Sequence, residues 1–162
     1  MSANPSTTTE TAVQAELFGF LFLLLQNLSR RLDAGLERFG LTSRQWLLLA
    51  VLEKAFPGQA PTLSEAAAVY GSSRQNLTQL ARQLADRGYL QIERDPDDAR
   101  ATRLRATTKL GVFAEPAVRA EQAQLLAEVF GALDPAEVRT LRTLVVRCLD
   151  HLSEGRWKEE ES

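Results

Sequence analysis

The sequence predicts a mainly helical fold that contains one β-hairpin. Over most of the chain, apolar residues recur every three or four positions, which is typical of amphipathic helices. One stretch, residues 89–107, instead favours two strands that flank a turn rich in aspartate and proline. Capping patterns and glycines divide the helical part into several helices of ordinary length.

The composition allows a folded, non-catalytic protein. The chain has 162 residues, of which 44% are hydrophobic and 25% charged, so it can bury a core. With Cys148 and His151 as the single cysteine and histidine, neither an intrachain disulfide nor a histidine–cysteine metal cluster can form. Because acid–base side chains do not converge in any motif, we predict no catalytic residue, no metal and no cofactor.

The N-terminal part predicts a tail and then a dimerisation helix. Residues 1–9 are polar and aperiodic, so we expect a disordered tail, and residues 10–40 carry a helical stripe. Within it, residues 17–25 are apolar throughout, but about 20 residues are needed to span a bilayer, and no signal-peptide pattern surrounds the segment. A helix that is apolar on every side must be covered on every side. We therefore expect a homodimer without membrane contact, located in the cytoplasm.

Residues 41–109 have the order of elements found in a winged helix-turn-helix. Capping-box patterns at Thr42–Gln45 and Thr62–Glu65 predict two helix starts, and Gly71 predicts a tight turn before a helix that ends at Gly88. The predicted hairpin follows as the wing. In such a unit the helix after the turn enters the major groove of DNA, and the hairpin reaches the flanking backbone or minor groove.

The C-terminal part predicts further dimerisation helices over residues 110–155, followed by a charged tail over 156–162. Pro116 should kink the first of these helices, and Asp134 should cap the second. Cys148 lies on the apolar stripe of the last helix, so we expect it to be buried and inert, whereas His151 should be exposed.

The helix after the turn carries side chains suited to DNA. Its inner face is apolar, and its outer face offers glutamine and asparagine for adenine, arginine for guanine and a threonine methyl for thymine. Two serines precede it, where free backbone N–H groups favour a phosphate. An ordinary solvated helix would also be polar outside, but the lack of acidic residues from 72 to 85 favours DNA contact. The candidates on this helix are Ser72, Ser73, Arg74, Gln75, Asn76, Thr78, Gln79 and Arg82.

The wing adds three candidates for DNA contact, Arg94, Arg100 and Arg103. Arginine is favoured in a narrow minor groove, and Asp98 is near enough in sequence to hold the Arg100 side chain. The alternative is an exposed, salt-bridged hairpin of no functional importance. The formal net charge of −2 also counts against DNA binding, although residues 62–109 carry eight basic and six acidic residues.

Residues 62–111 resemble the MarR family of multiple-antibiotic-resistance-type regulators. The matching segments are LTSRQWLLLAVL (41–52), TLSEAAAVYGSSRQNLTQLARQLADRGYL (62–90) and RDPDDARATRLRATTKLG (94–111). The resemblance implies a dimer built from the first and last two helices, a pseudo-palindromic operator, release by a small ligand, and Arg100 as the wing arginine. The sequence departs from the family pattern at Ala106, at Pro116, and around Arg82, where an acidic residue is common.

The predicted function is therefore a sequence-specific, ligand-responsive repressor that binds double-stranded DNA as a homodimer. A small apolar or aromatic effector would be bound by Phe22, Gln26 and Trp46, because effector pockets are mainly apolar with a few polar groups. The alternative is a winged-helix module for protein–protein contact, which the near-neutral net charge favours. A small helical enzyme is the third possibility, and the missing acid–base set argues against it.

Overall fold

The computed structural model describes residues 5–96, 98 and 100–152, with side chains from residue 9 onward. This part of the chain is mainly helical with one antiparallel hairpin, as predicted. The chain divides into two compact units, residues 1–44 and 45–162. The elements are α1 Pro5–Leu36, α2 Ser43–Ala55, α3 Leu63–Tyr70, α4 Arg74–Asp86, β1 Leu90–Arg94, β2 Thr102–Ala106, α5 Pro116–Phe130 and α6 Pro135–Leu152.

The first unit consists mainly of α1. The helix begins at Pro5, so the expected disordered tail is wrong from this residue onward, and residues 1–4 lie outside the described part. Proline suits a first helical position, because its φ angle is already helical and no N–H is needed there. Beyond α1, a 3-10 turn over Glu37–Phe39 leads to Gly40, whose φ of 65° ends the helical stretch as predicted.

The apolar segment of α1 is exposed in the single chain. Its large side chains, from Leu17 to Leu25, are between 47% and 63% exposed. By length and composition alone the helical stretch Thr9–Phe39 could cross a membrane, so the short apolar segment does not by itself exclude a span. However, only the 13 residues between Glu16 and Arg30 lack charge, fewer than the about 20 that a span requires. The exposed apolar side chains therefore require burial against another surface, and the short uncharged stretch favours a protein surface over a bilayer.

The core of the second unit lies where α2, α3, α4 and the hairpin meet. Its largest fully buried side chains are Leu48, Leu77, Leu84, Tyr89 and Leu104. The two strands pair in register, and the second is joined to the loop before α3 by a hydrogen bond from the backbone of Leu104 to the oxygen of Pro61, 2.9 Å. The wing therefore continues the core and is not a free-standing loop.

Pro116 does not kink a helix, contrary to the prediction. A 3-10 segment over Thr108–Ala114 precedes it, and Pro116 is the first residue of α5. Because proline lacks an N–H and clashes with a preceding helical turn, a helix that starts at Pro116 avoids the cost of one that passes through it. The predicted cap at Asp134 is confirmed, since its carboxylate accepts the backbone N–H groups of Ala136 and Glu137 at 2.6 and 2.9 Å.

The last helix, α6, buries none of its side chains in the single chain. Its apolar stripe includes Leu144, which is 50% exposed, and Cys148, which is exposed and free. The expected burial of Cys148 is therefore wrong for the single chain, because no described element packs closely over this stripe. His151 is exposed, as predicted. The predicted charged tail, 156–162, lies outside the described residues.

Candidate nucleic-acid interface

A tight turn fixes how α4 leaves α3. Thr62 and Glu65 form the predicted capping box at the start of α3, which ends at Gly71 with a φ of 72°. The backbone N–H of Ser72 then bonds to the oxygen of Ala67 at 3.1 Å, and the Ser73 hydroxyl caps α4. The turn between the two helices thus consists of one left-handed glycine, the Ser72 hydrogen bond and the Ser73 cap.

The first turn of α4 keeps donors available for an anion. Ser73 Oγ accepts the N–H of Asn76 at 3.2 Å, which leaves the hydroxyl proton of Ser73 free to donate. Thr78 Oγ1 donates to the oxygen of Arg74 at 2.7 Å, so the threonine methyl is the part of this half-buried side chain that can face a ligand. The roles of Ser73 as a phosphate donor and of Thr78 as a thymine contact stay predictions.

The two faces of α4 separate as predicted. Leu77, Ala81 and Leu84 are buried, and Leu80 is half-buried beside them. On the opposite side and its flanks the side chains are exposed and polar or basic. They are Arg74, Gln75, Asn76, Gln79 and Arg82. From Arg74 to Arg82 this surface lacks negative charge, and the exposed carboxylate of Asp86 follows one turn later, at the end of α4.

A buried amide contact joins α2 to α4, and the sequence did not predict it. The side chain of Gln45, only 3% exposed, donates from Nε2 to Oε1 of Gln83 at 2.8 Å. The two residues are 38 positions apart, and no periodicity or spacing links them. The contact lies beside the buried face of α4 and adds a polar link between the two helices.

The four arginines of the wing fall into two pairs. The side chains of Arg94 and Arg100 are exposed and make no hydrogen bond or ion pair with any described residue. Arg105 contacts both carboxylate oxygens of Glu93 at 3.1 Å, as an exposed pair across the strands. Arg103 is directed inward. Two cations of the wing are therefore available to a ligand, and two are engaged within the chain.

The contacts of Arg103 were not predicted. Its Nε lies 2.6 Å from Oδ2 of Asp95, whose side chain is only 4% exposed, and it donates to the carbonyl oxygen of Ala60 at 2.8 Å. The described contact of Asp98 also differs from the expected one. Its carboxylate accepts the backbone N–H of Arg100 at 2.9 Å, so it holds the chain and leaves the guanidinium group free.

Hydrogen bonds and a neighbouring charge shift the pKa of Glu65, in the first turn of α3. The backbone N–H of Thr62, and then its hydroxyl, donate to the Glu65 carboxylate at 2.7 and 2.8 Å. These two hydrogen bonds lower the pKa of Glu65, and the charge of Arg103 lowers it further. The cap of α3 is therefore ionised at neutral pH.

The residues predicted for an effector are placed on two helices. Phe22 lies on α1, 59% exposed, with its ring centroid 4.9 Å from that of Phe18 in an edge-to-face arrangement. Gln26 is exposed on the same helix, and Trp46 is half-buried on α2. Phe22 and Gln26 belong to the first compact unit and Trp46 to the second. The prediction of an effector site at these residues stays a prediction.

Comparison with known proteins agrees with this architecture. Residues 39–101 match the family model described as MarR family. The transcriptional activatory protein BadR of Rhodopseudomonas palustris is 30% identical over 139 residues, which cover 79% of each chain.

Solved structures show the same fold. A mutant MarR from E. coli, complexed with operator DNA, matches with a TM-score of 0.71 and 23% identity, over 83% of this chain and 94% of that one. A MarR protein from Peptoclostridium difficile matches with a TM-score of 0.73 and 17% identity, over 87% and 89%. The fold is thus the winged helix-turn-helix of transcription regulators, and the chain belongs to the MarR family.

Proposed function

We propose that this protein is a homodimeric transcription regulator that reads a pseudo-palindromic site in double-stranded DNA. One observation carries the proposal. The outer face of α4 exposes polar and basic side chains within a stretch, 72–85, that contains no acidic residue, and the neighbouring wing exposes two arginines, Arg94 and Arg100, that pair with no described residue. The E. coli relative with this fold was solved with operator DNA.

Each part of the surface has its own role in this proposal. Gln75 and Gln79 read base edges, because an amide can form two hydrogen bonds with adenine. Arg82, about one turn further along α4, contacts phosphate and contributes affinity more than discrimination. Arg94 and Arg100 on the wing enter the flanking minor groove or bind its backbone. Arg74, Asn76 and Thr78 complete the base-reading face, and Ser72 and Ser73 hold a phosphate at the helix start.

The exposed apolar surfaces on α1 and α6 support dimerisation. Two helices that leave large apolar side chains open to water would make a monomer prone to association. A second copy of the chain covers them and brings a second α4 to the DNA. Two-fold symmetry then requires an inverted repeat, with half-site centres about 34 Å apart.

The proposal includes regulation by a ligand. A small apolar or aromatic effector bound near Phe22, Gln26 or Trp46 would favour a dimer whose two α4 helices no longer fit the repeat, and the protein would act as a repressor. The R. palustris relative is named an activatory protein, so activation is the alternative outcome for this chain. We infer no catalytic activity, in line with the regulators to which the chain is similar.

A protein–protein module without specific DNA binding is the competing function, favoured by the net charge of −2. Selection of bound fragments from random double-stranded DNA, followed by titration of the selected site at several salt concentrations, separates the two. We expect an inverted repeat, and an affinity that falls steeply with salt, by a log–log slope of about 0.9 for each phosphate contacted. A scrambled duplex of equal length is the control. Recovery of no enriched site, or binding that salt does not weaken, would contradict the proposal.

A further inference from the structure

The wing contains a chain of contacts that begins at the loop before α3 and ends at its tip. The carbonyl oxygen of Ala60 accepts from Arg103 at 2.8 Å, and Nε of Arg103 lies 2.6 Å from Oδ2 of Asp95. The other carboxylate oxygen of Asp95 accepts the backbone N–H of Asp98 at 3.2 Å. The Asp98 carboxylate in turn accepts the backbone N–H of Arg100 at 2.9 Å. Both ends of the hairpin tip are thereby connected to a carboxylate that is buried.

Burial makes this series of contacts different from an ordinary surface ion pair. The side chain of Asp95 is only 4% exposed and that of Arg103 is 36% exposed, so the carboxylate is buried while the guanidinium group that partners it reaches the surface. The pair formed by Glu93 and Arg105 on the same two strands has side chains that are 41% and 53% exposed, and pairs of that kind contribute little. Loss of the Arg103 partner would therefore disturb the hairpin tip, whereas loss of Arg105 would remove only surface charge.

We propose that Asp95 and Arg103 are positioning residues for DNA binding, which hold the wing tip so that the exposed Arg100 side chain is directed at the DNA. The inference rests on the proposed function. It assigns Arg103 a role within the protein, in place of the DNA contact that the sequence predicts. Arg103 acts on affinity through Arg100, because its guanidinium group is engaged by the Asp95 carboxylate and the Ala60 carbonyl oxygen.

A first experiment needs no DNA. Amide hydrogen exchange of the full chain, followed by NMR, reports on the N–H groups of Asp98 and Arg100, which the contacts protect. We expect Arg103→Leu to speed up exchange at both amides, and Arg105→Leu to leave them as in the wild type. Unchanged protection in Arg103→Leu would overturn the inference whether or not the protein binds DNA. If the proposed function alone is wrong, the exchange result stands and the selection with wild-type protein recovers no enriched site.

A second experiment measures affinity for the selected site by a double-mutant cycle. Arg103→Leu should weaken binding by about tenfold or more, which corresponds to about 1.4 kcal/mol. Arg105→Leu, which removes the same charge from the same strand, should weaken it less. In an Arg100→Ala background the effect of Arg103→Leu should largely disappear, because the side chain that it positions is gone. Equal losses in both backgrounds would show that Arg103 does not act through Arg100, and would overturn the inference.

Asp95→Asn gives an independent test, which also serves if Arg103→Leu folds poorly. The variant removes a negative charge from a surface that faces phosphates, so simple electrostatics predicts tighter binding. Our inference predicts weaker binding, because Arg103 loses its charged partner and the tip loses its anchor. Tighter binding by Asp95→Asn would overturn it. Melting curves of all variants, measured beside the titrations, show which of them keep the fold.

Discussion

The winged region and the flanking helices differ in how far each completes its own packing. In the winged region, α4 buries Leu77 and Leu84 fully, and Thr62 and Ser73 cap the helix starts. The flanking helices do the opposite. α1 exposes its whole apolar segment, and α6 buries no residue.

The difference separates two kinds of stability. Packing within one chain holds the winged region, whereas α1 and α6 gain from burial only when another molecule covers them. This division would suit the proposed regulation by a ligand, since a ligand that changes the contact between two copies can leave the fold of each α4 unchanged. Substitutions in the winged region should therefore lower the stability of each single chain, whereas substitutions in α1 or α6 should weaken the association of two chains.

The largest effect is expected from charge placed in the α1 apolar segment. Leu21→Glu together with Leu25→Glu should dissociate the dimer, because a carboxylate within an apolar interface loses its hydration without a partner. With one half-site per molecule, affinity for the inverted repeat should fall by at least about 100-fold. Sedimentation and titration measure the two results. Gln14→Glu, which adds a charge to α1 outside the segment, is the control and should stay dimeric. A charged variant that remains a dimer would remove α1 from the interface.

A leucine truncation in each region gives the next effect. Leu84→Ala leaves a cavity in the winged core and should lower the free energy of unfolding by about 2–5 kcal/mol. Leu144→Ala on α6 should instead weaken dimerisation and leave the winged core intact. Denaturant unfolding and sedimentation, applied to both variants, test the division. If Leu144→Ala lowered stability as much as Leu84→Ala and the loss did not depend on protein concentration, the proposed contrast would not hold.

A smaller effect concerns how α4 reads sequence. Gln75→Ala and Gln79→Ala should reduce discrimination between the selected site and random DNA by about 1–3 kcal/mol for each lost base contact. Arg82→Ala should weaken binding to both DNAs alike and make the salt slope shallower. Parallel titrations on the two duplexes measure this. Proportional losses of specific and random binding in the glutamine variants would assign sequence selection to the wing or to DNA shape.

Elements with a local signal could be predicted from the sequence, and contacts between distant residues could not. A few neighbouring residues determine the cap at Thr62, the turn at Gly71 and the polar face of α4. Pro116 was misjudged because the same residue either kinks a helix or begins one. The inward direction of Arg103 depends on Ala60, 43 positions away, and no spacing rule indicates it.

The smallest expected effect is the pH dependence of the α3 cap. Hydrogen bonds from Thr62, the backbone N–H first, lower the pKa of Glu65 in the folded protein. The unfolded chain therefore binds the proton more readily than the folded one over the acidic range. It follows that the cap contributes stability above the unfolded-state pKa, and that this contribution is lost as the pH falls through the lower folded-state pKa.

Glu65→Gln tests this dependence, because its amide oxygen can still accept from Thr62 but does not titrate in the acidic range. At fixed protein concentration, the free energy of unfolding of the wild type should decrease more than that of Glu65→Gln between about pH 6 and pH 3, across the ordinary range of glutamate titration. Glu53→Gln, which removes an exposed carboxylate from the C-terminal half of α2, is the matched control and should run parallel to the wild type. Because Glu65 is exposed, the difference should be small, and salt should screen the charges of Arg103 and Asp95, which act in opposite directions, more than it affects the hydrogen bonds from Thr62. Parallel curves for Glu65→Gln and the wild type would mean that the cap holds α3 without any contribution from its charge.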